Sequence, residues 1–275
     1  MRKNFECTAE NAARLADMSK RMRKDALDMA LASGNYGSHL GGSLSAIEIM
    51  ATMYGAVLNF DNFDDRDIFI PSKNHCVLAH IPALAEAGFI PHEEILEFQK
   101  DGGRLTGYPA RPEIGLEYSG GTLGMAISVG IGMAIAAKEK KSAREIFILM
   151  GDGELQEGSI WEAFMSAAHF KLDNLTAIID RNKLSLDGAT EEIMSLDSIA
   201  DKLKSFNWHV TECDGHNTFE LLKAFADKSD KPHAIIAHTI KGKGVSFMEN
   251  NFEYHHHTLS EKNYKLAMAE IMGGD

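Results

Sequence analysis

The chain reads as an α/β protein built on a parallel sheet with helices on both faces. From residue 145 onward, short apolar runs alternate with helix-length amphipathic segments, the pattern of repeated strand–helix–strand units. Runs such as Ile146-Phe-Ile-Leu-Met150 are apolar at successive positions, as strands covered on both faces must be. Length and composition agree. The 275 residues, 44% apolar and 25% charged, can build a large core without disulfides or a structural metal. No low-complexity run, Pro-rich linker or internal repeat divides residues 1–275, so one domain is expected.

The elements follow in order. Between Thr8 and Ser33, apolar residues at 12, 15, 18, 22, 26, 29 and 30 trace one helical stripe, and Gly34 suits its stop. Ser45-Ala-Ile-Glu48 has the spacing of a capping box and predicts a second helix start. Asp67 to Ile70 predicts a strand, His75 to Ala87 a helix ended by Gly88, and Pro91 the first turn of a short helix. Ser119 to Ala137 carries no charge over 19 residues, yet its Gly, Ala and Ser content predicts a buried helix rather than a membrane span. Gly120, Gly124, Ser128, Gly132 and Ala136 recur every four residues, a small-residue stripe suited to close packing on the sheet or on another subunit. Strands are then predicted at Glu145–Met150, Leu175–Asp180, 208–212 and 233–239, with helices near Ser159–Phe170, 195–206 and 218–227. Ligands of such sheets bind at the carboxyl ends of strands, which puts Gly151 onward, Asp180 onward and Thr239 onward on one rim.

Charge and cysteines narrow the function. Lys and Arg number 28 against 40 Asp and Glu, a net −12 that argues against nonspecific nucleic-acid binding and anionic membranes. Cysteines at 7, 76 and 213 are odd in number and form no C-x-x-C pair, which suits a reducing cytoplasm. The N-terminal residues lack an apolar signal core.

The most informative segment is Gly151-Asp-Gly-Glu-Leu-Gln-Glu-Gly158, between a predicted strand and a helix. Its glycines let the backbone approach a phosphate, and a helix N-terminus favours an anion. The Asp152 carboxylate would repel a bare phosphate but fits one shared with a divalent cation. Mg²⁺ wants oxygen donors and commonly shares phosphates with one or two protein groups. Asn182, 30 residues on at the next strand end, supplies a second donor.

This pairing resembles the diphosphate-and-Mg²⁺ motif of thiamine diphosphate enzymes. The longer strings, through Ser159-Ile-Trp-Glu-Ala163 and His169-Phe-Lys-Leu-Asp-Asn174 to Gly188, resemble the N-terminal half of transketolase. The likeness runs from about residue 10 to 260. Ser38-His39-Leu-Gly-Gly resembles that family's Gly-His-Pro-Gly, and Ser72-Lys-Asn-His75 its Ser-Lys-Gly-His. Gly120-Gly-Thr-Leu-Gly124 resembles its Thr-Gly-Pro-Leu-Gly. Lys241-Gly-Lys-Gly244 and Tyr254-His255 resemble the last motif of that half.

The resemblance implies a thiamine diphosphate-binding α/β fold and roles by position. Asp152, Asn182 and the Leu184 carbonyl would bind Mg²⁺ (or Ca²⁺ or Mn²⁺). Gly151, Gly153, Glu154 and His75 would meet the diphosphate region, and Gly121, Thr122 and Leu123 the cofactor's rings. His39 and His255 would face the reacting carbons, with Tyr108 on the substrate. Glu157 would reach across a subunit interface toward the partner's cofactor-activating glutamate. The implied activity is transfer of a two-carbon ketol unit, carried as an enamine, between a ketose and an aldose or their phosphates. The implied partner is a second chain with the pyrimidine-binding and C-terminal domains, in an α2β2 heterotetramer. The alternatives are a 2-oxo acid or non-standard sugar donor, and a non-catalytic regulatory subunit. Gly130-Ile-Gly132 alone supports dinucleotide binding, and it lies inside a helical pattern without the third glycine.

Three departures from the family pattern stand out. Gly107-Tyr108-Pro109 replaces Gly-His-Pro, putting a phenol where an imidazole is usual. Asn35-Tyr-Gly37 replaces a shorter lead-in, and Met125-Ala126 replaces Gln-Gly. They bear on sugar specificity rather than on the metal site. Glu154 and Glu162 fit cation-facing, interface or packing roles equally. The triple His255-His256-His257 is not read as a zinc site, because adjacent side chains diverge. His80, His92, His169, His209, His216, His233 and His238 receive no role.

Overall fold

The computed structural model describes residues 5–62, 65–118, 120–196 and 198–273. Ser119, at the head of the uncharged stretch, and Met1–Asn4 of the N-terminal reading lie outside them, as does Asp197 within the predicted 195–206 helix.

Five strands form one all-parallel sheet: β1 Ile68–Pro71, β2 Ile146–Gly151, β3 Leu175–Arg181, β4 His209–Asp214 and β5 His233–His238, in the order β1-β2-β3-β5-β4. Alternation along each strand serves both faces. Ile146, Ile148 and Met150 join Ala177, Ile179 and Ile236 in one core. Phe147 and Leu149 join Ile178, Ile235 and Ala237 in the other.

The helices distribute accordingly. α1 Ala9–Ala32, α2 Leu40–Leu44, α3 Ile47–Thr52, α4 Val77–Glu86, α9 Thr218–Ala226 and α10 Glu261–Gly273 adjoin the Phe147 side. α5 Ala126–Glu139, α6 Gly158–His169 and α8 Ile199–Ser205 cover the Ile148 side, and α7 Thr190–Ile193 is a single turn. The strand order explains the split. The chain steps β1, β2, β3 one way, leaps to β4 and returns to β5, so right-handed crossovers put α9 opposite α5, α6 and α8. Thr8 caps α1 through a bond from Asn11 N at 3.1 Å.

Three element readings are corrected. Ser45 does not cap a helix: its hydroxyl donates to Asp180 Oδ2 at 2.6 Å, and Glu48 is buried against Arg23 and His216. The helix α3 begins at Ile47 without a side-chain cap. The small-residue stripe does not pack on the sheet. Gly120 and Gly124 precede α5, while Ser128, Gly132 and Ala136 are exposed. The sheet-facing side is Ile127, Gly130, Ile131 and Ala134, and a Cβ at Gly130 would meet Ile148 Cδ1 at 2.3 Å. Pro91 precedes the 3₁₀ turn His92–Glu97 rather than opening a helix. The three cysteines are free thiols. Among the described residues no helix is long and apolar enough to cross a membrane.

Candidate functional site

The carboxyl ends of β1, β2 and β3 and the turn after β5 surround a cavity of about 370 Å³. Each wall follows from local structure. After β2, Asp152 opens a 3₁₀ turn over Gly153–Gln156, and α6 starts at Gly158. Glycine is required at 124, where φ is +80° and a Cβ would meet Glu157 Cβ at 2.8 Å. Glu154 holds that turn against the loop. It is buried, accepts from Gly124 N at 2.8 Å and Gly151 N at 3.2 Å, and bonds the Ser72 hydroxyl. Burial pushes its carboxyl upward, against those hydrogen bonds. It is therefore an internal tie, while Glu162 is exposed on α6.

The expected metal ligands lie together on neighbouring strand ends. Asp152 Oδ1 accepts from Gly153 N at 2.8 Å, and Oδ2 from Lys183 N at 2.6 Å and Arg181 at 3.0 Å. Burial and then Asp180 push its carboxyl up, opposed by Arg181. An ionised carboxylate offers about four acceptor positions, so one remains for a cation. Asn182 Oδ1 accepts only from Leu184 N, at 3.1 Å, and the Leu184 carbonyl accepts from Lys241, at 3.1 Å. Each oxygen keeps a lone pair for a hard divalent cation.

Two lysines complete the floor, and neither was singled out in the sequence. Lys73 is 1% exposed, ion-paired with Asp180, and donates to Gly42 O at 2.8 Å. Despite burial, Asp180 holds its ammonium above the usual lysine range. Asp180 also accepts from Ser45 and Thr239, and Lys73 holds its carboxyl low against burial. Lys241 is 2% exposed. It donates to Leu184 O, to Ser185 O at 2.8 Å and to His255 Nδ1 at 2.9 Å. Burial, then the neighbouring Lys73, bring its ammonium down to about 8. Among the described residues no carboxylate forms an ion pair with Lys241. A buried cation held only by carbonyls and an imidazole is half of an anion site. That uncompensated charge, beside free lone pairs on three oxygens, fits a diphosphate bridged to a divalent metal.

His216 explains why Lys241 stands where it does. Its Nε2 accepts from Ile240 N at 2.8 Å, and its Nδ1 bonds Glu48 at 2.9 Å. Arg23 bonds Glu48 and donates to Lys243 O at 3.0 Å. This buried set clamps the 240–243 turn. Arg181 likewise links Asp152 to Thr190 at 3.0 Å and Glu191 at 2.5 Å.

Three imidazoles converge above the floor. His39 lies 5.3 Å from His75 and 5.5 Å from His255 between ring centroids, and His75 lies 5.3 Å from His255. Tyr108, 44% exposed, stands edge-on to His39 at 6.4 Å. Burial brings His39 down to about 4 and His255 to about 3, and takes His75 well below its ordinary value. All three are neutral at pH 7. Lysine only donates, so His255 Nδ1 accepts and its proton sits on Nε2. Gly121 and Leu123 line the cavity's open side, and Thr122 and Glu157 are exposed beside it. Of the triple histidine, His255 and His256 both lie against His39, His255 also bonding Lys241, while His257 bonds Thr258 O.

Comparison with known proteins follows this geometry. The family described as "Transketolase, thiamine diphosphate binding domain" matches residues 13–274. The chain is 41% identical over 240 residues to a subunit of the apulose-4-phosphate transketolase of Phocaeicola vulgatus, covering 85% of each. It is 38% identical over 241 residues to a subunit of the 6-deoxy-6-sulfo-D-fructose transketolase of a Clostridium species, covering 85% of this chain and 88% of that one. Its fold matches the crystal structure of transketolase from Campylobacter jejuni with a TM-score of 0.85 at 27% identity, covering 94% of this chain and 42% of that one.

Proposed function

The chain belongs to the transketolase thiamine diphosphate-binding domain family, and from that premise we propose that it is the cofactor-holding subunit of a two-chain ketol transferase. The reaction is transfer of a two-carbon ketol unit from a ketose to an aldose. Relatives named for apulose 4-phosphate and sulfofructose favour a non-standard sugar over the common sugar phosphates. The observation that carries the reading is the buried Lys241, without a carboxylate partner among the described residues, beside Asp152, Asn182 and Leu184.

Asp152, Asn182 and the Leu184 carbonyl would hold Mg²⁺, which neutralises diphosphate charge. Lys241 would hold the diphosphate beside Gly153, and Gly121, Thr122 and Leu123 would line the rings. When bound, thiamine diphosphate supplies the carbanion and electron sink for cleaving the bond beside a ketose carbonyl. His39 and His255, both neutral, would each offer one hydrogen-bond donor and one acceptor to the substrate's oxygens. His75 packs between them and the floor.

The partner is a second chain seated on the open side, over Leu123, Glu157 and the outward face of α5. Met125, Val129 and Met165 are exposed there beside the small stripe. Relatives that are themselves named as one subunit of a transketolase support the split form, and an α2β2 assembly suits it. The test is transfer from hydroxypyruvate to glycolaldehyde with thiamine diphosphate and Mg²⁺. Activity is expected only when the chain is mixed with a partner chain that carries the pyrimidine-binding domain. Robust transfer by the single chain refutes the split arrangement.

A further inference from the structure

Next to His39, which lines the cavity, stands a ring that the mechanism leaves unused. His256 is exposed and lies 4.5 Å from His39, edge-on, closer to that imidazole than His75, His255 or Tyr108. Its position is built rather than incidental. Ser38 and His257 exchange two backbone hydrogen bonds, each 3.0 Å, in an antiparallel bridge. The bridge lays residues 255–257 beside 37–39. Gly37, with φ +66°, forms the seat: a Cβ there would come within 3.1 Å of His256 Cε1. Four rings thus surround His39: His75 and His255 among the cavity-lining residues, Tyr108, and His256.

We infer that His256 is a specificity-determining residue that hydrogen-bonds hydroxyls of the acceptor sugar beyond its reacting carbon. The inference rests on the proposed function, which puts the reacting carbons at His39. An imidazole and a phenol each donate and accept, which matches a hydroxyl. Anionic ends call instead for Arg or Lys. The cavity's lysines, Lys73 and Lys241, are both almost fully buried at the floor. This chain's share of the mouth therefore suits the polyhydroxy chain of a sugar.

The experiment uses the two-chain complex with thiamine diphosphate and Mg²⁺, hydroxypyruvate as fixed donor, and glycolaldehyde or erythrose as acceptor. In His256→Ala the ratio of kcat/KM for erythrose to that for glycolaldehyde falls about fivefold, the loss expected for one hydrogen bond, mainly through KM. His256→Gln, whose amide donates and accepts, restores most of the ratio. A ratio held within twofold in His256→Ala, or an equal loss on both acceptors, overturns the inference and leaves a packing role. Wild-type complex that binds cofactor yet transfers to neither acceptor refutes the proposed function, and this inference with it.

Discussion

A single buried ammonium carries much of the site's chemistry. Lys241 has no carboxylate partner among the described residues, and burial brings its ammonium down to about 8. Binding of a diphosphate raises that value again, so binding takes up a proton above pH 8. Below about 8 the lysine is charged in both states and affinity is flat in pH. Above it, affinity falls about tenfold per pH unit until the bound form also titrates. Calorimetric titration of the complex with thiamine diphosphate at several pH values measures this. Lys241→Met should bind roughly 10- to 100-fold more weakly at pH 7, the cost of a charge-assisted bond, and lose the slope above pH 8. Both Lys241 and Lys73 lie in strings that resemble family motifs, but no role could be read for either from the sequence. Lysine is usually a solvated surface residue, and only tertiary burial, 2% and 1% exposure, marks these two. Asp152 and Asn182 were legible because each ends a strand, one repeat apart.

At the scale of elements, the seat proposed for a second chain rests on α5. Ile127, Ile131 and Ala134 turn inward because they bury more apolar area than Ser128, Gly132 and Ala136 could. The spacing of small residues was legible, but not the side they face, which depends on that competition. A Cβ at Gly132 meets nothing within 4 Å. Gly132→Leu should therefore leave the isolated chain folded, with its melting temperature little changed. It should weaken assembly with the partner by at least about tenfold through overpacking, read by light scattering or size-exclusion chromatography. Full retention of assembly would place the interface elsewhere. The false capping box teaches the same point: Ser45 and Glu48 have the right spacing, but stronger tertiary partners in Asp180, Arg23 and His216 claim both.

For the whole molecule, the order β1-β2-β3-β5-β4 brings the ends of β1, β2 and β3 and the turn after β5 to one rim. Strand–helix alternation made the parallel sheet legible, and the strand ends gave the rim. The contribution of β1 was recognisable only as a motif, because Ile68–Pro71 is too short to announce a ligand-bearing strand. Leu123 and Tyr108 are exposed at the cavity, where the proposed second chain would complete the site. The central claim is that the metal–diphosphate half of the site lies in this chain, on Asp152. Titrating thiamine diphosphate with Mg²⁺ into the two-chain complex tests it most directly, comparing wild type with Asp152→Ala. One cofactor per pair of unlike chains is expected for wild type, with a Mg²⁺-dependent affinity lower by at least about 100-fold in the variant. Unchanged binding by Asp152→Ala, in a complex that still assembles, would contradict it.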